Sequence, residues 1–266
     1  VSTPVGFGYR RPQARSGLEI VDRDVFAKEM FPHLYEHGDH VVFGGPSTHG
    51  KTYLAFDLLG PLISPDFPAY VAQSKPRDPV TEKRAKQLDF RVVEVWNGKP
   101  PRRLIEIIDS SRRPPGYLIK PRFGNIETDM QNCAQQTANL LADRYAAGAK
   151  GHGGILVMDD TMVKAVIMRL DRHMVTIIAM AAAMGIGEWV FIQKPTDSGK
   201  ITLWSFENAP HCFFTKGGDE RMLKRYAEIS GGNAASVITA IPALDEYQFV
   251  YLNKRTGHVC IVDKGK

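Results

Sequence analysis

Cysteine is scarce in this chain and badly spaced for either of its structural uses. Cys133, Cys212 and Cys260 are odd in number and far apart, and none belongs to a C-x-x-C pair. That argues against both a disulfide framework and a structural zinc site, and a reducing compartment fits best. Long apolar runs are missing too. The longest, Val175 to Met184, is about half of the ~20 residues that a membrane span needs, and the amino-terminal stretch carries no hydrophobic signal core. The expectation is a soluble, cytoplasmic chain with no membrane segment of its own. Acidic residues are absent from residues 1–17, where Arg10, Arg11 and Arg15 stand among Pro4, Gly6, Gly8, Pro12 and Gly17. This stretch lacks the apolar periodicity that would dock it, so it reads as a basic arm. Either an untethered terminus or an arm for nucleic acid or a neighbouring subunit accounts for it.

What is present has the balance of a packed globular unit: 43% hydrophobic and 24% charged residues in 266. One α/β domain over residues 18–266 is the default at this length. The net charge of +5 and a pI near 9.0 suit an anionic partner without requiring one.

The rest of the chain is arranged around Gly45-Pro46-Ser47-Thr48-His49-Gly50-Lys51-Thr52, which fits G-x-x-x-x-G-K-[ST]. The apolar run Val41-Val42-Phe43 feeds into it, and a helical run beginning Tyr53-Leu54-Ala55-Phe56 leaves it. Successive backbone N–H groups must curl around a phosphate chain, and glycine lets the backbone come close with no Cβ in the way. The following helix presents its amino terminus to the same anion. In this assignment residues 45–53 cradle nucleotide, Lys51 neutralises β/γ-phosphate charge and the Thr52 hydroxyl ligates Mg²⁺.

A second motif lies in Gly153-Gly154-Ile155-Leu156-Val157-Met158-Asp159-Asp160, a buried-strand pattern ending in two carboxylates. Such a strand carries Asp159 to the lip of a nucleotide crevice as a Mg²⁺ ligand, and Asp160 beside it can orient or activate the attacking water. A third apolar strand, Glu188 to Ile192, ends at Gln193, which reads either as the first residue of a loop or, by resemblance to the additional-strand P-loop ATPases, as a γ-phosphate sensor. Asn253-Lys254 begins like the guanine-reading N-K-x-D, but position 256 is Thr and no D-x-x-G follows Asp159, so a GTPase is disfavoured.

Between the motifs, strands fit Ala69 to Ser74, Arg91 to Trp96 and Gly116 to Lys120. Helices fit 79–88, Arg102 to Ile108, 127–147 and much of Thr161 to Gly185. Lys75 and Arg77 follow the first of these strands, on a loop that reads as solvated or as a phosphate or DNA contact. Arg102, Arg103, Arg112 and Arg113 read equally as a basic surface for a polyanion or as solvated turn residues. Tyr247 to Leu252 and His258 to Val262 read as a terminal hairpin.

Through the phosphate loop, the Asp159-Asp160 pair and the strand ending in Gln193, residues 38–262 resemble the FtsK/HerA superfamily of P-loop ATPases, above all its viral genome-packaging branch. The resemblance implies a three-layer α/β P-loop NTPase fold, with a mostly parallel central sheet of the additional-strand (ASCE/RecA-like) type and a carboxyl-terminal β-hairpin. It implies an ATP- and Mg²⁺-dependent motor that acts on double-stranded DNA as a homo-oligomeric ring. Location in the host cytoplasm or the virion and docking to a portal or capsid-vertex protein come with it. Such rings take an arginine from the neighbouring subunit, for which Arg122, Arg144, Arg169 and Arg172 are candidates. Asp160 departs from the more usual Glu, and no insertion is large enough for a nuclease domain. A small-molecule phosphotransferase, with Arg102-Arg103 or Arg112-Arg113 as its lid, and a non-translocating ATPase switch are the alternatives.

Overall fold

The computed structural model describes residues 17–75, 77–96, 112–120, 124–194, 196, 199–217 and 219–264. The basic arm before Gly17, the expected helix at Arg102 to Ile108 and Arg122 lie outside the described residues. Ten strands form one sheet: β1 (Ile20–Asp22), β2 (Val41–Gly44), β3 (Ala69–Ala72), β4 (Arg91–Val93), β5 (Gly116–Ile119), β6 (Gly154–Met158), β7 (Ile186–Ile192), β8 (His211–Thr215), β9 (Phe249–Asn253) and β10 (Val259–Asp263). Their spatial order is β1-β10-β9-β8-β2-β7-β6-β3-β5-β4. Pairing is antiparallel at β8/β9 and β9/β10 and parallel elsewhere. The strand after the acidic motif, β7, is thus inserted between β6 and the phosphate-loop strand β2, as the additional-strand architecture requires.

Both faces of the sheet are covered, which is why β2, β3 and β5 to β9 are buried at every residue. Alternation divides them: Val41, Phe43, Val71, Ile155, Val157 and Trp189 enter one core, and Val42, Tyr70, Leu156, Val190 and Phe214 the other. The first core is closed by α3 (Lys51–Leu59) and α4 (Pro79–Gln87) and by the lead-in segment. That segment runs through α1 (Arg23–Val25), a π turn (Phe26–Met30) and α2 (Phe31–Leu34). Its amphipathic pattern resolves into Phe26 and Phe31, both fully buried, with ring contacts to Phe213 and Tyr251. The second core lies under α5 (Ile126–Gly148), α6 (Asp171–Met180), α7 (Lys200–Asn208), α8 (Glu220–Ser230) and α9 (Ala234–Ala243).

Thr161 to Gly185 is less continuous than its composition suggests. A π turn, Val163–Ile167, breaks off at Arg169 (φ 57°) before α6 begins, and a 3₁₀ turn, Ala182–Met184, precedes β7. The hairpin is present, and Asn253 has a structural task in it. Buried, it accepts the Arg255 and Thr256 amides at 2.9 and 3.1 Å and so closes the turn. At the end of the sheet away from the phosphate loop, Asp39 Oδ2 meets His211 Nε2 at 3.0 Å and Asp39 Oδ1 meets Arg255 Nη2 at 2.6 Å. This cluster ties the lead-in to β8 and the hairpin.

Glu188 has an odd position, fully buried in the middle of β7 with both carboxyl oxygens lacking a hydrogen-bond partner. Burial raises its pKa well above the usual carboxylate range. The folded state therefore keeps a proton that the unfolded chain releases above about pH 4.3, and stability falls as pH rises from there toward the folded value. Glu188→Met is expected to stabilise the protein by about 1–3 kcal/mol at pH 8 and by less at pH 5, read from melting curves at the two pH values.

Candidate nucleotide site

The turn after β2 is built by glycines with reasons to be glycine. Gly45 sits at φ 124°, and a Cβ there would lie 2.0 Å from Thr215 Oγ1 on β8. Gly50, the residue before α3, takes φ 79°, which opens the helix in the left-handed region. The Gly45 amide donates to Ile192 O at 2.9 Å, fastening the start of the loop to the end of β7. Lys51 opens α3, and its Nζ folds back to donate to Gly45 O at 2.7 Å and Pro46 O at 2.5 Å. Burial pushes this ammonium down to about 8, against the pull of Asp160 and Asp159.

The structure brings Ser47, Thr48, Gly50, Lys51, Thr52 and Tyr53 to one cleft of about 300 Å³. Asp159, Asp160 and Gln193 line its other side, at the carboxyl ends of β6 and β7. Gly45, Pro46 and His49, expected to cradle nucleotide, do not line the cleft: the Gly45 and Pro46 carbonyls hold Lys51 Nζ, and His49 Nδ1 lies 2.7 Å from Ser47 O.

Three residues that sequence reasoning missed or underrated complete the acidic side. Thr161 Oγ1 donates to Met158 O at 2.8 Å and accepts the Phe191 amide at 2.9 Å, locking the tip of β6 to the tip of β7. Lys164, fully buried in the π turn, donates to Asp159 O and Ser74 Oγ. Lys75 is no free loop residue: its Nζ lies 2.8 Å from Asp160 Oδ2. Burial, the largest single influence, lowers the Lys75 pKa, but the bond to Asp160 and the negative charges of Asp159, Asp160 and Asp78 together outweigh it and raise the value. The contacts of Thr161 with Phe191, of Lys164 with Ser74 and of Lys75 with Asp160 have no local sequence signal, because each joins segments distant in the chain.

Non-glycine residues with left-handed backbone are Thr48, Asp89, Asp160, Arg169 and Tyr247 among the described residues. Of these, Thr48, Asp160 and Tyr247 line this one cleft. Strained backbone gathers where a ligand is clamped. The φ of 47° at Asp160 also explains the departure from Glu, since Asp tolerates that region better than longer side chains do.

A divalent cation fits the acidic side. Asp159 Oδ1 accepts the Asp160 amide at 3.0 Å, but Oδ2 is buried with no partner, and burial raises the Asp159 pKa. A cation supplies both a partner and a reason to ionise. No group of three or more His, Cys, Asp or Glu suited to a metal occurs among the described residues. Mg²⁺ is commonly held by one or two carboxylates together with phosphate and water.

Arg144 has a different place from the one expected. Its guanidinium donates to Tyr70 OH at 2.6 Å and to Asp143 Oδ2 at 2.6 and 2.9 Å, and lies 4.4 Å over the Tyr70 ring. Arg169 and Arg172 are exposed and form no ion pair among the described residues.

The fold as a whole matches solved proteins. The DNA-packaging ATPase B204 from Sulfolobus turreted icosahedral virus aligns with a TM-score of 0.55 at 13% identity, over 87% of this chain and 100% of that one. This chain has a P-loop ATPase fold. The genome-packaging NTPase B204 from Sulfolobus turreted icosahedral virus 2, solved with AMPPCP, shares the fold at 0.51 and 12% identity, over 86% and 99%. So does the cytoplasmic domain of the Thermomonospora curvata Type VII secretion ATPase EccC, at 0.51 and 12%, over 86% of this chain and 24% of that one. The likeness to these ATPases is one of fold. No protein-family model matches the sequence, and no curated protein does.

Proposed function

We propose that this chain hydrolyses ATP with Mg²⁺ and couples hydrolysis to the movement of double-stranded DNA, as a subunit of a homo-oligomeric packaging ring. One observation carries the reading: β7 stands between β2 and β6 and delivers Gln193 to the cleft that already holds Lys51, Asp159 and Asp160. A strand tip so placed reports the state of a γ-phosphate to the acidic strand beside it, a task that belongs to hydrolysis and not to transfer onto a small acceptor. Of the two lid pairs that the phosphotransferase reading offers, Arg102-Arg103 lies outside the described residues and Arg112-Arg113 stands away from the cleft. Arg112 and Arg113 border a separate groove of about 900 Å³ beside β4 and β5, and neither lines the cleft.

In this mechanism the loop amides of residues 45–50 wrap the phosphates, and Lys51 moves from its two carbonyls to the β/γ-phosphate oxygens. Thr52 and Asp159 would hold Mg²⁺, which when bound offsets phosphate charge. Asp160 orients the attacking water and accepts its proton. Thr161 passes a shift at the tip of β7 directly to β6.

The ring itself is supported by the surface after Asp160. Val166 and Ile167 are each 63% exposed, next to the unpaired Arg169 and Arg172. An exposed apolar pair with unpaired arginines close by in the chain suits contact with a neighbouring subunit, to which an arginine could be offered in trans. A portal or capsid-vertex protein and location in the host cytoplasm or virion belong to the same proposal.

Duplex DNA is expected to raise ATP turnover of the intact protein several-fold at low salt, with ADP and free phosphate as products. Turnover indifferent to DNA would remove the translocase, leaving an ATPase switch. Phosphate appearing on an acceptor in place of free phosphate would restore the kinase.

A further inference from the structure

We infer that Tyr247 is the stacking platform for the nucleobase of the bound triphosphate. The inference rests on the cleft being a nucleoside-triphosphate site and adds the part of the ligand that the phosphate loop does not hold. Tyr247 lies in the turn between α9 and β9, at φ 65°, a region that a bulky aromatic residue enters only under constraint. Its ring lies against the last turn of the phosphate loop: a Cβ on Gly50 would come within 2.8 Å of Tyr247 Cδ1. Even so the residue stays 39% exposed and lines the cleft, so the strain does not serve core packing.

The turn is stapled in place from two directions. Asp245 N donates to Gln248 Oε1 at 2.8 Å, and Gln248 N donates to Asp245 O at 3.3 Å. From the lead-in, Arg23 Nη2 donates to Tyr247 O at 2.7 Å. Arg23 is itself only 4% exposed, with its guanidinium 5.6 Å over the Phe249 ring. A buried arginine spent on the carbonyl of an exposed, strained tyrosine fixes where that ring stands relative to Gly50. Tyr53, one helical turn into α3 and 41% exposed, adds a second aromatic wall to the same cleft, with Arg84 5.1 Å over its ring. A triphosphate held at the helix amino terminus leads its base past these two rings. Stacking on an aromatic face strengthens binding of any base, so this platform contributes affinity and leaves base choice to other contacts.

The test compares Mg·ATP with inorganic tripolyphosphate by calorimetry on the full chain. Wild type is expected to bind ATP at least ten-fold more tightly than tripolyphosphate. Tyr247→Gly suits the left-handed turn and removes only the ring, so it should fold with an unchanged or higher melting temperature. It should lose roughly ten-fold or more in ATP affinity while tripolyphosphate affinity stays within two-fold, and Tyr247→Phe should bind ATP like wild type. Unchanged ATP affinity in Tyr247→Gly overturns the platform. Equal loss for both ligands overturns it too, since the ring then shapes the phosphate loop instead. If wild type binds neither ligand, the phosphate-loop reading fails and the platform falls with it.

Discussion

Replacing Asp160 with Asn is expected to slow ATP turnover by at least about 100-fold while ATP affinity changes by no more than a few-fold. The choice of Asn matters. Asp160 stands at φ 47°, and Asn is among the few side chains that accept this backbone readily, so the variant tests chemistry and not folding. What Asn cannot do is take a proton from water. Nor can it attract the Lys75 ammonium, now 2.8 Å away, with a full charge. In the proposed cycle this ion pair holds the carboxylate beside the cleft, and its exchange for a bond to water commits the site to hydrolysis. Single-turnover rates and equilibrium binding of a non-hydrolysable analogue separate the two effects. A variant that binds and still turns over at a tenth of the wild-type rate or more would move the water-orienting role to another carboxylate. Asp159→Asn should behave differently, weakening Mg²⁺-dependent binding itself, because it is the Asp159 Oδ2 that lacks a partner.

How far the sequence discloses this site depends on whether proximity is local or tertiary. The phosphate loop is legible because its chemistry needs glycine, lysine and a hydroxyl at fixed spacing in one turn. The acidic strand and Gln193 are legible because a buried strand must end where its polar residues begin. The insertion of β7 beside β2 and the three-layer architecture do not follow from those strands alone; they come with the resemblance to the additional-strand P-loop ATPases. Tyr247 is illegible for the converse reason: it reaches the cleft only once the sheet has brought distant loops together, and nothing in its own neighbourhood marks it. The pairings of Lys75 with Asp160, Lys164 with Ser74 and Thr161 with Phe191 are hidden in the same way, although the loop that carries Lys75 is readable as a phosphate contact. Arg144 shows the opposite failure: its place on a helix is readable, but a helical pattern cannot reveal that Tyr70 waits opposite to absorb the charge. The strand β1 escapes because three residues pairing parallel with β10 are too few to show a period. Glu188 hides in an apolar run that implies burial and says nothing of how an unpaired carboxyl tolerates it.

Lys51→Met should weaken ATP binding by roughly 100-fold or more, because it removes the ammonium from a site where water is largely excluded and phosphate has few other counter-charges. The pH dependence tells this loss apart from a distorted loop. In the free protein burial pushes Lys51 down to about 8, so near that pH the group is partly neutral. A triphosphate favours the charged form and must raise the value. Binding therefore takes up a proton in the interval above about pH 8, and affinity falls as pH climbs through it, by up to about ten-fold per unit. Below that interval the lysine is charged with or without ligand, and its contribution is flat. Calorimetry at pH 8.5 to 9.5 in two buffers of different ionisation enthalpy should detect the proton taken up by wild type, and no such uptake in Lys51→Met. Wild-type affinity independent of pH across that range would mean that Lys51 keeps its two loop carbonyls, Gly45 O and Pro46 O, when the ligand arrives. The phosphate charge would then be met elsewhere, with Lys75, the other cationic side chain lining the cleft, as the first place to look.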